Sequence, residues 1–436
     1  MFDELIKKAH EVLDTNWKGE FTVPTNTLYP FQWNWDSGFV SLGNGHKNLD
    51  RSIKEINSLL SGQWANGMVP HILFHSENEK TYFPNFDFWE SSVNSGSPDK
   101  PKSSGITNPP VIGFVLENLL IQHPDDENLV AFVKESFNKV VNFHRFLYNS
   151  RDPHHEGLMY MYHPWESGRD NSPLWDESLN RIEIKEGSLP NYQRRDLDVS
   201  EADERPTAAQ YDRYVYLLLF GKENQYDSPK IAEECPFLIQ DNMMNAILIR
   251  SNDSLIRIGE RFSFDTSEIK EWQQQSITSF NSKFWNEKLK MYVPYDLRAQ
   301  KQIEYKEIGS YVSLFAQVAS GQQAAHLQDH LVHLHNNGYY LCPSFDVDSP
   351  EFDSKRYWRG PIWPHVNWMI YHGLMEYGYR EIANVVKADT LKIVNKWGLC
   401  EYYEPQKEVA KDLSLGYGGK NFSWTASTIL DLMYNT

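Results

Sequence analysis

Residues 126–148 read DENLVAFVKESFNKVVNFHRFLY. Leu129, Phe132, Val133, Phe137, Val140, Val141 and Leu147 recur at three- and four-residue spacing, so they share one face of a helix, with His144 its single polar member. The same spacing returns over residues 231–250, 265–284, 312–318, 324–335, 362–377 and 381–396, and the charged N-terminal run MFDELIKKAHEVLDTNW is an amphipathic helix pattern. Roughly twelve helical segments follow one another, joined by connections that alternate short and long. Alternating strand-like runs are few, the best lying at 291–294. Many helices without a sheet predict an all-α fold. Six helical hairpins in an inner and an outer ring, an (α/α)6 barrel, use twelve helices, and residues 1–436 are expected to form one such domain. Its long loops are expected at about 90–105, 165–204 and 401–424, since long irregular stretches in compact domains are usually functional.

Charge narrows the partners. The 42 Lys+Arg stand against 59 Asp+Glu, a formal net charge of −17. Such a surface repels phosphate backbones and anionic lipid, so neither nucleic acid nor membrane is expected as a partner. No run approaches ~18 uninterrupted apolar residues. The N-terminus lacks the apolar core of a secretory signal. The three cysteines, Cys235, Cys342 and Cys400, are odd in number and far apart, which excludes a disulfide framework and a CxxC metal site. The expectation is a cytoplasmic protein.

The aromatic content is high, with 14 Trp, 24 Tyr and 23 Phe, 14% of the chain. Aromatic faces stack on the apolar C–H faces of sugar rings, and they also simply fill cores. Composition leaves both open; position favours the first. The aromatics gather in four segments that also carry Gly, Pro and carboxylates. YPFQWNWDSG (29–38) sets Trp33 and Trp35 beside Asp36 and is expected to present them from one side of a loop. HPWESGRDNSPLWD (163–176) holds three carboxylates and two Trp on a backbone broken by Gly and Pro. A carboxyl held against indoles loses hydration, which favours its protonated form and makes a general acid. The same residues, Asp170-Asn171-Ser172 before Pro173, also suit an Asx turn and helix cap. YWRGPIWPHVNW (357–368) leads into a helix marked by Pro361, and EYYEP (401–405) with NFSWT (421–425) places Glu401 and Glu404 in an aromatic loop. Glycosyl transfer to water needs one protonated and one ionised carboxyl on opposite sides of the scissile bond. The second and fourth segments could supply them, with Glu401 and Glu404 equally eligible on this reading.

Other chemistry is weakly represented. His154-His155 and His333-x-His335 each lack an obvious third ligand, so no metal is expected. No phosphate-binding P-loop, GxGxxG or GxSxG pattern occurs, and no cofactor is expected.

In order along the chain, YPFQWNWDSGF, NGMVPHILF (66–74), SGITNPPV (104–111), ESGRDNSPLWD, RPTAAQYDRY (205–214), RYWRGPIWPHVNW, EYYEP and FSWTAS resemble glycoside hydrolase family 63, in its mannosylglycerate and glucosylglycerate hydrolase branch. The resemblance implies an (α/α)6 barrel with its active site at one mouth and an enzyme that hydrolyses short α-glucosides or α-mannosides with inversion. It implies that Asp170 is the general acid, and that Glu401 rather than Glu404 is the general base. Asp170 would protonate the leaving oxygen while Glu401 deprotonates a water on the opposite ring face, the carboxyls ~6.5–9.5 Å apart. Tyr29, Trp33, Trp35 and Asp36 would hold the sugar with Gly168, Trp363 and Trp424 close by, and Arg205, Tyr357 and Trp358 would hold the glycerate. An Arg suits a carboxylate ligand in so acidic a chain. Two departures stand out. Asn108 occupies a position where the family often has Gln, and residues 406–417 lack the usual turn. Two other classes remain: a non-catalytic carbohydrate-binding barrel, which would need neither Asp170 nor Glu401, and a sugar isomerase or epimerase acting through His71, His163 or His365.

Overall fold

The computed structural model describes residues 2–76, 82–194, 196–198, 201–409 and 415–434. The chain is mostly helical. Its helices are α1 (Asp3–Asn16), α2 (Asn34–Gly45), α3 (Leu49–Ser61), α4 (Phe86–Trp89), α5 (Ile112–Gln122), α6 (Glu127–Ser150), α7 (Asp176–Asn180), α8 (Ala208–Glu223), α9 (Ser228–Glu234), α10 (Asn242–Phe262), α11 (Ser267–Phe284), α12 (Gly309–Phe315), α13 (Gly321–Asn336), α14 (Pro364–Glu376), α15 (Arg380–Trp397) and α16 (Ser423–Tyr434).

The decisive stretch is α6. Asp126 caps it by accepting from the Leu129 amide at 2.8 Å, and Leu129, Val133, Phe137, Val140, Val141 and Leu147 are buried along its inner face. The Nδ1 of His144 pairs there with Asn252 Oδ1 at 2.6 Å, while its buried Nε2 has no partner among the described residues. Helices α11 to α15 also fall within a few residues of the periodic segments. The 231–250 segment does not form one helix. Pro236 ends α9, a short strand Ile239–Gln240 intervenes, and Asp241 starts α10 by accepting from the Met243 amide at 3.2 Å.

Neighbour contacts run α2 to α5, α5 to α10, α10 to α12, α12 to α14, α14 to α16 and α16 back to α2. Each of these six packs a second helix against its other side: α3 on α2, α6 on α5, α11 on α10, α13 on α12, α15 on α14 and α1 on α16. Every residue of α2 is buried, and Gly43 lets α16 approach until the Gly43 amide donates to Ser427 Oγ at 2.6 Å.

The strands are short. β1 (Gln32–Trp33) pairs with β2 (Ile72–Phe74), and β2 with β3 (Lys102–Ser103), all antiparallel, with Trp33 opposite Ile72. The expected strand at 291–294 is Met291–Tyr292, paired with Trp285–Asn286. The expected loops contain regular structure: β3 lies within 90–105 and α7 within 165–204. The 29–38 segment runs from β1 directly into α2, because the Asn34 amide is held by the His71 carbonyl at 3.0 Å. The 401–424 stretch contains the paired strands Cys400–Tyr403 and Gly416–Lys420 and then enters α16.

Candidate active site

One pocket opens where the chain enters α2, α5 and α16. Trp33, Trp35 and Asp36 reach it from the start of α2, Asn108 from the approach to α5, and Phe422 and Trp424 from the start of α16. Tyr29, Gly168, Asp170, Arg205, Tyr357 and Glu401 complete its chemistry.

The three carboxylates of the second aromatic segment separate by their partners. Glu166 is buried and receives both arms of Arg151 (2.9 and 3.1 Å) with the amides of Thr107 and Tyr162. Asp176 accepts two hydrogen bonds from Arg359, at 3.1 and 2.7 Å. Asp170 alone of the three lines the pocket, and no side chain among the described residues donates to its carboxyl. Its main chain is held instead: the Tyr214 hydroxyl donates to its carbonyl at 2.7 Å, and Trp175 Nε1 to the preceding carbonyl at 2.7 Å. Burial pushes the Asp170 carboxyl up to about 7, with the Arg205 charge opposing and the Glu401 charge adding.

Glu401 and Glu404 lie three residues apart in and just beyond one strand, and their surroundings differ. Glu404 is off the pocket wall, with its oxygens taken by the Gln406 amide (3.0 Å) and the hydroxyls of Ser354 (2.7 Å) and Tyr417 (3.1 Å). Glu401 is on the wall. Its Oε1 accepts from the hydroxyls of Tyr29 and Tyr357, each at 3.2 Å, and its Oε2 from the Gly419 amide at 2.9 Å. Burial holds its pKa above the usual carboxylate value, offset in part by Arg205, the Gly419 amide and the two tyrosines. These donors favour the ionised form. Asp36, close enough to feel Glu401, is pushed well up by burial.

Arg205 organises one side. Its Nη2 donates to the Tyr29 hydroxyl at 2.8 Å, its Nε to Asp196 at 3.3 Å, and its guanidinium lies 4.4 Å from the Tyr357 ring centroid. Asp196 also takes Arg194, and these cations hold its carboxyl below the usual range against the burial that raises it. Asn108 Nδ2 donates to the Trp165 carbonyl at 3.0 Å, and its Oδ1 has no partner among the described residues.

Trp358 and Trp363, expected at the ligand, do not line the pocket. Their rings stack at 3.8 Å and 3°, both fully buried, with Trp363 also stacked on Tyr402. Such stacking adds about 0.5–1.5 kcal/mol beyond burial. Of the three histidines, His163 is held by Tyr214 and Trp165, and His365 is enclosed by Trp35 and Trp424. His71 does line the pocket, but burial pushes it down to about 3, so it stays neutral. Among the described residues no group of His, Cys, Asp and Glu is arranged to hold a metal ion. No helix among them is long and apolar enough to cross a membrane.

Sequence reasoning passed over Tyr82, Phe83, Pro84, Tyr211 and Phe422 as lining residues. YFPNFDFW (82–89) carried the same aromatic-plus-proline signal as the four segments chosen. Asp196 stands in a polar stretch where two arginines precede two aspartates (194–198, RRDLD). Arg195 and residues 410–414 of the divergent turn lie outside the described residues.

Two buried carboxyls with different hydrogen-bond partners, set in one aromatic pocket of a mostly helical chain, are the equipment of a glycoside hydrolase. The chain belongs to the mannosylglycerate hydrolase MGH1-like glycoside hydrolase domain family, whose pattern matches residues 29–425. It is 38% identical to a mannosylglycerate hydrolase of Thermus thermophilus over 97% of this chain and 99% of that one. A glucosylglycerate hydrolase of Mycolicibacterium hassiacum is 29% identical over 98% of this chain and 97% of that one. The crystal structure of a GH63 mannosylglycerate hydrolase, also from Thermus thermophilus and in complex with Tris and D-glycerate, matches with a TM-score of 0.92 at 38% identity, covering 98% of this chain and 100% of that one.

Proposed function

We propose that this glycoside hydrolase is a single-domain (α/α)6 barrel that cleaves mannosylglycerate or glucosylglycerate with inversion, in the cytoplasm. The closed cycle of six helices, each backed by a second, supports the barrel. Three free, buried cysteines accord with a reducing compartment. The substrate class follows the relatives.

The observation that carries the mechanism is the asymmetry of the two pocket carboxyls. Asp170 has no side-chain donor among the described residues and a pKa of about 7, so at neutral pH it holds a proton for much of the time and gives it to the leaving oxygen. Glu401 has three hydrogen-bond donors and an arginine nearby. These partners favour its ionised form, in which it deprotonates the water that attacks the anomeric carbon. Trp33, Trp35 and Trp424 offer the sugar its stacking faces, and Tyr29, Asp36 and Asn108 its hydrogen bonds, with Gly168 leaving room for Trp35. Arg205 and Tyr357 face the glycerate carboxylate. Trp358 and Trp363 back the wall.

The test is incubation with α-linked mannosylglycerate, glucosylglycerate, trehalose and kojibiose, following the first-released anomer by NMR. Initial release of β-sugar from a glycerate glycoside is expected. Initial α-sugar would overturn inversion. Preference for trehalose or kojibiose would point to a family 63 α-glucosidase, and no hydrolysis at all to a binding barrel.

A further inference from the structure

The side chain next to Asp170 points away from the pocket. Arg169 is 1% exposed, and its guanidinium is ion-paired with both Asp241 and Glu307. These carboxylates belong to the starts of two neighbouring inner helices. Asp241 caps α10. Glu307 stands just before α12 and also accepts from the Gly309 amide at 2.6 Å and from Asn242 Nδ2 at 2.7 Å. The Trp175 ring covers the guanidinium, 5.4 Å from its centroid, and Trp175 Nε1 donates to the Arg169 carbonyl. A cation buried between two carboxylates is costly to pull apart, so the anchor is stiff. Because no side chain among the described residues holds the Asp170 carboxyl, its aim depends on the main chain that Arg169 ties down.

We propose that Arg169 is a positioning residue, whose ion pairs to Asp241 and Glu307 hold the 168–171 backbone so that the Asp170 carboxyl stands at the leaving oxygen. This rests on Asp170 being the general acid. It separates two reactions of one sugar. An O-glycoside needs its leaving oxygen protonated as the C–O bond breaks. An α-glycosyl fluoride loses fluoride ion with no proton from Asp170. A misplaced acid therefore slows the first reaction and spares the second, whereas general damage to the pocket slows both.

The experiment compares kcat and KM on the glycerate O-glycoside and on the α-glycosyl fluoride of the same sugar. Arg169→Lys keeps the buried positive charge and changes its reach. Glu307→Gln keeps Arg169 and Asp241 and weakens one arm, so it supplies the result if the lysine variant does not fold. The expected outcome is a fall in kcat on the O-glycoside of roughly 10- to 100-fold, as for about 1 Å of misplacement, with KM and fluoride turnover within about threefold of wild type. Equal losses on both substrates, or no loss on the O-glycoside, would overturn the proposal. Asp170→Asn is run alongside. If it keeps wild-type turnover of the O-glycoside, the acid assignment itself fails; if it is inactive there, the Arg169 result stands on its own.

Discussion

Arg205 reaches Glu401 by two routes. Its Nη1 lies 3.9 Å from Glu401 Oε2, and its Nη2 donates at 2.8 Å to the Tyr29 hydroxyl, which donates to Glu401 Oε1 at 3.2 Å. The charge stabilises the carboxylate directly, and it also polarises the phenol that hydrogen-bonds to it.

Arg205→Met is accordingly expected to change the pH profile as well as the rate. Arg205 lowers the pKa of Glu401, so removing it raises that pKa further. Glu401 works ionised, and the acidic limb of kcat/KM should move to higher pH. The optimum value should fall by about 10²-fold or more, because a charge aimed at the reacting groups is lost in a dry site. A rate loss with an unmoved acidic limb would detach Arg205 from Glu401.

Asp170→Asn should remove most turnover, by about 10²–10⁴-fold, the usual share of a general acid. It should also stabilise the fold above neutral pH. The folded pKa is about 7 against 3.8 for the unbiased group, so between these values the unfolded chain ionises while the folded one keeps its proton. That difference weakens the wild type progressively from about pH 4 to about pH 7 and then levels off. Allowing for water in the pocket, the penalty is about 2 kcal/mol of the nominal ~4 for about three pKa units. The Tm gap between variant and wild type should open over that interval and close below it. A gap independent of pH would contradict the raised pKa.

Gly168→Ala tests the sugar platform. Gly168 has φ +69, and a Cβ there would collide with the Trp35 ring. Both the left-handed backbone and the collision oppose the methyl, at a cost of about 1–3 kcal/mol each. KM should rise and Tm should fall together. A variant with wild-type KM would show that Trp35 does not need its present position to bind sugar.

Glu404→Gln is expected to keep turnover within about fivefold of wild type, since replacing a hydrogen-bonded carboxylate off the pocket removes no transition-state charge. Steady-state kinetics beside Glu401→Gln decides the matter. Equal losses in both would reopen the choice of base.

Local pattern went a long way here. The three- and four-residue spacing located α6 and α11 to α15, because an amphipathic face is written into consecutive residues. It failed at 231–250, where Pro236 and the Asp241 cap divide an apolar run that reads as continuous. It also failed at 29–38, where the start of α2 depends on the carbonyl of His71, which lies far along the chain.

The sequence by itself determined that the chain is helical, acidic and equipped with aromatic, carboxylate-bearing segments in a recognisable order. Tertiary structure decided which carboxylates are available for chemistry. Glu166 and Asp176 have the same local context as Asp170, and Glu404 the same as Glu401. They are distinguished by Arg151, by Arg359 and by Ser354 and Tyr417, which the chain brings from positions 15, 183, 50 and 13 residues away. A counter-charge that arrives only on folding leaves no mark beside the residue it neutralises. The same holds for Trp358 and Trp363, which look like a sugar platform in sequence and stack on each other in the wall.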